Sequence, residues 1–269
     1  MRGKRDARRV ESRGNDLEQI LLAIKGVLAV KDRPKFDPAL WRMSTSMTLQ
    51  LQWGRQPAEP RPQLKPMNGQ SARIALTREI INRCGIVRVV ETGTYQGSTT
   101  EFFARFGLPV ITAEINPKFA AFSRERLKLW KNIELYESDS VQVIKKLVQE
   151  SDSRSEPTLF YLDAHWAEHL PLREEAELAI ANFSKAVLMI DDFNIPDDPG
   201  YGFDDYGPSR RLDINYLRAA NLPNLVLYFP STPSYLEDGY RRGCVVATAA
   251  PEIAAILDRL ALLRRWIRL

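Results

Sequence analysis

The sequence is poor in the residues that staple or metallate small domains: two cysteines, Cys84 and Cys244, and two histidines, His165 and His169, in 269 residues. Two thiols so far apart make neither a disulfide framework nor a zinc-ligand spacing, so a cytoplasmic protein with reduced thiols is the expectation. No stretch of about 18 apolar residues occurs, which argues against a membrane span. The start, MRGKRDARRV, is basic but has no apolar core or small-residue cleavage site of a secretory signal. An excess of one charge sign is small as well: 38 Lys and Arg stand against 34 Asp and Glu. The net charge is +4, and Arg2, Lys4, Arg5, Arg8, Arg9 and Arg13 against Asp6 and Glu11 account for all of it. A solvated basic arm over residues 1–14 is the preferred reading, with nucleic acid the less favoured one.

What is present is enough for one sizeable core: 44% of residues are hydrophobic, which suits a single α/β domain with an extension. Residues 15–69 read as that extension. Leu17, Ile20, Leu21, Ile24 and Leu28 share a helical face over 16–30, and a proline-containing linker follows, with a short strap over 47–53. From 70 to 269 the pattern becomes regular. Helix 71–83, strand 86–91, helix 99–106, strand 109–114, helix 117–130, strand 132–136, helix 140–150, strand 158–163, helix 171–182 and strand 185–191 alternate, which predicts a mostly parallel sheet with helices on both faces. Strands 225–229 and 243–248 follow with no convincing helix between them, so an antiparallel sheet edge is expected. A final helix over 251–267 carries Ile253, Ile256, Leu257, Leu260 and Leu263 on one face, suited to packing or to a homo-oligomer contact.

The chemistry-bearing stretch is IVRVVETGTYQGSTTEFFAR, residues 86 to 105. A β-branched run stops at Glu91, Gly93 and Gly97 open the turn, and Ser98 and Thr99 suit a helix start. Such a turn offers free backbone N–H groups and a positive helix end to a ligand. A dinucleotide fingerprint has glycine at the position of Glu91; a carboxylate there repels a pyrophosphate and suits a ligand with an ammonium group. The pattern Glu91-x-Gly93-x-x-x-Gly97 resembles the first motif of class I S-adenosylmethionine-dependent methyltransferases. The resemblance implies a Rossmann-like seven-stranded sheet of order 3-2-1-4-5-7-6, with S-adenosylmethionine bound by Glu91, Gly93, Thr94, Gly97 and Ser98. Glu114, 23 residues beyond Glu91 and ending the second strand, is then the acceptor of the ribose hydroxyls. Asp139 is expected at the adenine or, alternatively, as the cap of helix 140–150.

Three more acids end strands: Asp163 in LDAHW, Asp191 and Asp192 in LMIDDF. Gathered at one rim they repel, unless a hard divalent cation joins them; all-oxygen ligation favours Mg²⁺, Mn²⁺ or Ca²⁺ over zinc. The arrangement resembles metal-dependent O-methyltransferases of the group with macrocin O-methyltransferases and cephalosporin hydroxylases, which implies a small-molecule hydroxyl acceptor such as a sugar. His165 or Asp163 is the candidate base. Some relatives carry the base three residues after the metal aspartate, where this chain has Trp166. His165, Glu168 and His169 also spell a zinc-peptidase pattern, but it follows a strand and meets Pro171, so no helix aligns its rings. Two further stretches are candidate rim pieces. The loop with Asp197, Asp198, Tyr201, Phe203, Asp204, Asp205 and Tyr206 reads as a lid, and 231–242, with Tyr235, Tyr240 and Arg241, as its neighbour.

Overall fold

The structure, a computed structural model, describes residues 65–150, 152, 154–166 and 169–267. The basic arm, the helix over 16–30 and the strap over 47–53 lie outside the described residues. A short 3-10 turn, Pro66–Gly69, precedes helix α1, Ser71–Arg83. The alternating unit follows: β1 Arg88–Thr92, α2 Ser98–Ala104, β2 Val110–Glu114, α3 Pro117–Leu127, β3 Ile133–Glu137, α4 Ser140–Glu150, β4 Thr158–Leu162, α5 Leu172–Asn182 and β5 Ala186–Asp191. The closing part holds α6 Ile214–Arg218, β6 Val226–Pro230, β7 Cys244–Thr248, α7 Pro251–Leu257 and β8 Leu263–Arg265.

All eight strands form one sheet of order β3-β2-β1-β4-β5-β7-β6-β8. The first five are parallel, with Glu91 beside Thr112 and Tyr161, and Leu162 beside Ile190. The last three pair antiparallel. The β-branched and aromatic strands are covered on both faces. Val89, Tyr161, Val187, Met189 and Val246 face α1, α2 and α7, while Val90, Phe160, Leu162, Leu188 and Ile190 face α4, α5 and α6. Each fully buried aliphatic or aromatic side chain contributes about 1.5–3 kcal/mol, and the two layers fix where the strands end. Their carboxyl ends, at Thr92, Glu114, Glu137, Leu162 and Asp191, open on one rim.

Three expectations need correction. Strand 86–91 begins at Arg88 and reaches Thr92; Val87 is partly exposed and bonds the Pro157 carbonyl. The sheet has eight strands, because helix 251–267 stops at Leu257. Leu260, Leu262 and Leu263 are buried, but they sit on a turn and on β8, whose pairing Phe229↔Arg264 satisfies the otherwise open backbone of β6. Four leucines in seven residues fit either period, and the open edge decided between them. Helix α6 has no counterpart in the sequence reading. Its signal was Asp213, which caps it by accepting from the Tyr216 N–H at 3.0 Å. No helix among the described residues is long and apolar enough to cross a membrane.

Candidate active site

The turn after β1 is held from beneath. Gly93 has φ +81°, and a Cβ there would lie 2.4 Å from the Asp163 carbonyl oxygen, so only glycine lets the β1 and β4 ends close up. Gly97, φ +74°, caps α2 and donates its N–H to the Thr94 carbonyl at 2.8 Å. Tyr95 is left-handed as well, φ +47°, which points its N–H at Glu114 Oε2, 2.7 Å away. The Thr94 hydroxyl turns inward to Thr112, 2.6 Å, and Ser98 opens α2 half-buried. Glu91 lies below the turn rather than in the cavity above it. It is buried, and it accepts hydrogen bonds from the Thr100 and Thr112 hydroxyls. Burial pushes its carboxyl up to about 7, with Glu114 adding to the rise and the two hydroxyls opposing it.

Above the turn is a cavity of about 680 Å³. Its first half is made by Gly93, Tyr95, Glu114, Asn116, Phe119 and Ser138. Glu114 accepts from the N–H groups of Tyr95 and, at 2.8 Å, Asn116. Two backbone donors orient the carboxylate and leave lone pairs over for a ligand. Tyr95 packs its ring edge-on against Phe119 at 4.5 Å. Asp139 is set differently: Oδ1 caps α4 through the Val141 and Gln142 N–H groups, and Oδ2 pairs with His169 Nε2 at 2.8 Å. Its neighbours Ser138 and Ser140 line the cavity. The cap that the sequence left as an alternative is therefore made.

The second half holds Asp163, His165, Trp166, Asp192, Asp204 and Tyr206. The three strand-end acids divide here. Asp191 is buried and forms an ion pair with Arg73 of α1, while its Oδ2 takes the Tyr161 hydroxyl at 2.5 Å. Asp192 sits at φ +51°, a strained position for a residue with a side chain, and turns its carboxylate to Arg242 Nε at 2.6 Å. Arg242 also pairs with Asp204, whose Oδ2 accepts from Tyr206. Donor atoms of Asp163, His165 and Asp192 lie within 4.8 Å of one another. His165 is 4% exposed and neither ring nitrogen has a hydrogen-bond partner.

The electrostatics follow from that crowding. Burial, then Asp191, Asp192 and Glu91, push Asp163 well above the usual carboxylate range, against the pull of Arg73. Burial and Asp191 raise Asp192 to about 7, opposed by Arg242. Burial lowers His165, and the attraction of Asp204 and Asp191 does not offset it. The sequence reading named neither Arg73 nor Arg242, and it placed Asp204 and Tyr206 only in a general lid. That loop is tied down: Tyr201 is buried and bonds the Thr232 carbonyl, Asp198 bonds Ser234, and Arg211 covers Phe203. Tyr235 and Tyr240 are exposed and lie away from the cavity wall. Neither His165 nor His169 lies on a helix, and His169 pairs with Asp139 whereas the His165 ring has no hydrogen-bond partner, so the two rings do not form the zinc-peptidase arrangement.

No protein-family model matches the sequence, and no curated protein matches it either. The fold does have solved counterparts. An O-methyltransferase from Bacillus cereus in complex with SAH is 18% identical, aligns over 85% of this chain and 98% of its own, and gives a TM-score of 0.51. The O-methyltransferase TomG from Streptomyces achromogenes, involved in tomaymycin synthesis and bound to SAM, is 17% identical over 80% of this chain and 91% of its own, with a TM-score of 0.51. At these identities the likeness is one of fold: a Rossmann-like, mostly parallel α/β sheet with antiparallel edge strands.

Proposed function

We propose that the protein is an S-adenosylmethionine-dependent methyltransferase acting on a hydroxyl of a small molecule, a sugar or a related polyol-bearing compound. The observation that carries this is one cavity with two chemically distinct ends: the oriented carboxylate of Glu114 over the β1–α2 turn, and the acidic rim of Asp163 and Asp192. Ligands of open α/β sheets gather at the carboxyl ends of the strands. Glu114 has free lone pairs for two ribose hydroxyls, Gly93 lines the cavity where the methionine end would lie, and Gly97 closes the turn against α3. Glu91 and Thr94 act from below by fixing that turn, Ser98 starts its helix, and Asp139 braces the adenine end by capping α4.

The reaction breaks the sulfur–methyl bond and forms an oxygen–methyl bond in line, so the protein has to align the acceptor and accept its proton. Asp163 faces the cavity beside the turn and is the group in reach for that proton. Tyr206 and Trp166 wall the acceptor end, where flat faces suit a sugar ring. A divalent cation fits the rim: Asp163, Asp191, Asp192 and Asp204 outnumber Arg73 and Arg242 by two formal charges. Bound on Asp163 and Asp192, it would lower the pKa of an acceptor hydroxyl. This is the chemistry of the group with macrocin O-methyltransferases and cephalosporin hydroxylases. The chain departs from that pattern at Asp191, whose carboxylate is paired with Arg73.

Calorimetry with S-adenosylhomocysteine and NAD, followed by labelled methyl transfer to a panel of hydroxyl acceptors, tests the proposal. Binding of S-adenosylhomocysteine alone, with label moving to an alcohol, is the expected result. NAD binding without any response to S-adenosylhomocysteine would refute it.

A further inference from the structure

The third donor at the rim is not the acid that the sequence pattern suggests. Asp191 spends one oxygen on Arg73 and the other on Tyr161, and both partners are buried. Its place beside Asp163 and Asp192 is taken by His165, whose Nε2 lies 3.9 Å from Asp163 Oδ1 and 4.0 Å from Asp204 Oδ2. Two donors each about 2.1 Å from one ion stand about 3–4 Å apart, so small side-chain rotations bring these atoms onto a common centre. A buried imidazole without a partner is costly, and both His165 nitrogens are in that state. A cation at the rim would satisfy one of them.

We infer that Asp163, His165 and Asp192 form a one-nitrogen, two-carboxylate site for a borderline first-row dication, Mn²⁺, Fe²⁺, Co²⁺ or Zn²⁺, in preference to Mg²⁺ or Ca²⁺. Imidazole favours the borderline metals, whereas the hardest cations favour all-oxygen sites. Arg242 then serves as the positioning residue, holding Asp192 by one oxygen and Asp204 by another. His165, as a ligand, leaves the role of base. The inference rests on the methyl-transfer reading for its mechanistic meaning, but its test stands apart from turnover.

The protein has only two histidines, so a nitrogen signal on a bound metal is assignable. Metal-free full-length protein is titrated with Mn²⁺ and followed by electron paramagnetic resonance, with Mg²⁺ as competitor, and pulsed measurements read the nitrogen coupling. The expected result is one Mn²⁺ per chain, coupling from one imidazole, and displacement by Mg²⁺ only at more than tenfold higher concentration. His165→Asn is expected to abolish the coupling and weaken Mn²⁺ at least tenfold; His169→Asn is expected to keep both. The coupling in the unaltered protein needs no variant to fold. Absence of nitrogen coupling, or Mg²⁺ binding as tightly as Mn²⁺, overturns the inference. Calorimetry with S-adenosylhomocysteine on the same sample separates the two readings. Cofactor binding without coupling overturns the metal site alone, and coupling without cofactor binding supports the site while counting against the methyltransferase.

Discussion

Replacing Arg73 by methionine would leave Asp191 as a buried carboxylate with no cation. The pair is enclosed, with side-chain exposures of 2% and 1%, so water cannot take over the lost interaction. Breaking one side of such a pair costs about 3–5 kcal/mol. Tyr161 and the Asp192 N–H still reach Asp191, which argues for the lower end, about 3 kcal/mol. Asp191→Asn is expected to cost a similar amount, because it strands the Arg73 guanidinium instead. The double variant removes both charges and should lose clearly less than the sum, by about 2 kcal/mol. Urea unfolding followed by circular dichroism measures all four proteins, and thermal midpoints should fall by roughly 10 °C in each single variant. Additive losses, or a single-variant loss below about 1 kcal/mol, would refute the view that Asp191 is a structural anion.

Glu175 of α5 is buried, and burial raises its carboxyl to about 7 against the lowering effect of Ser140 and Thr92. The folded protein therefore holds this proton more tightly than the unfolded chain does, whose glutamate titrates near 4.5. The stabilising contribution is complete below 4.5, declines as pH rises, and is lost above 7, for a total of about 3 kcal/mol. Glu175→Gln should accordingly gain on the wild type between pH 5 and pH 8 in urea unfolding, and a constant gap would contradict the assignment. Gly93→Ala meets the Asp163 carbonyl at 2.4 Å and carries φ +81°. It should cost at least about 1–3 kcal/mol and weaken S-adenosylhomocysteine; an unchanged melting point and affinity would show that the turn has slack. Glu114→Ala removes charge-assisted bonds worth about 1.5–3 kcal/mol, so calorimetry should find S-adenosylhomocysteine bound roughly 10- to 100-fold more weakly. A change below about threefold would move the ribose elsewhere.

The parts of the fold that sequence revealed are those whose signal is local. Val89 and Val90 make a strand buried on both faces, Gly93 and Gly97 mark a turn, and the rhythm from 70 to 191 forces a parallel sheet. Asp163 and Asp192 were visible as strand ends, and strand ends point at the rim by topology alone. Helix α7 and strand β8 were not separable, because a leucine-rich stretch satisfies both periods until the open edge of β6 is known. The function of Asp139 was split between a cap and a ligand, and only the position of α4 decides that.

The fate of Asp191 has a signal in the helix before the first strand. Arg73, Leu76, Thr77 and Ile80 fall at i, i+3, i+4 and i+7 of α1, and all four are buried. An arginine on the core face of a helix keeps its charge at any physiological pH, so it requires a buried anion within reach. The helix packs on the sheet face that carries Val89, Tyr161, Val187 and Met189, and the anion at the end of that layer is Asp191, 118 residues away. Asp192, next in the chain, is turned by its left-handed backbone toward Arg242 and the cavity. Adjacent acids at a strand end thus part company: the first answers to the core-face cation, and only the second lines the cavity. A core-face arginine in the helix before the first strand is therefore a reason to subtract one carboxylate from the metal set before the fold is known.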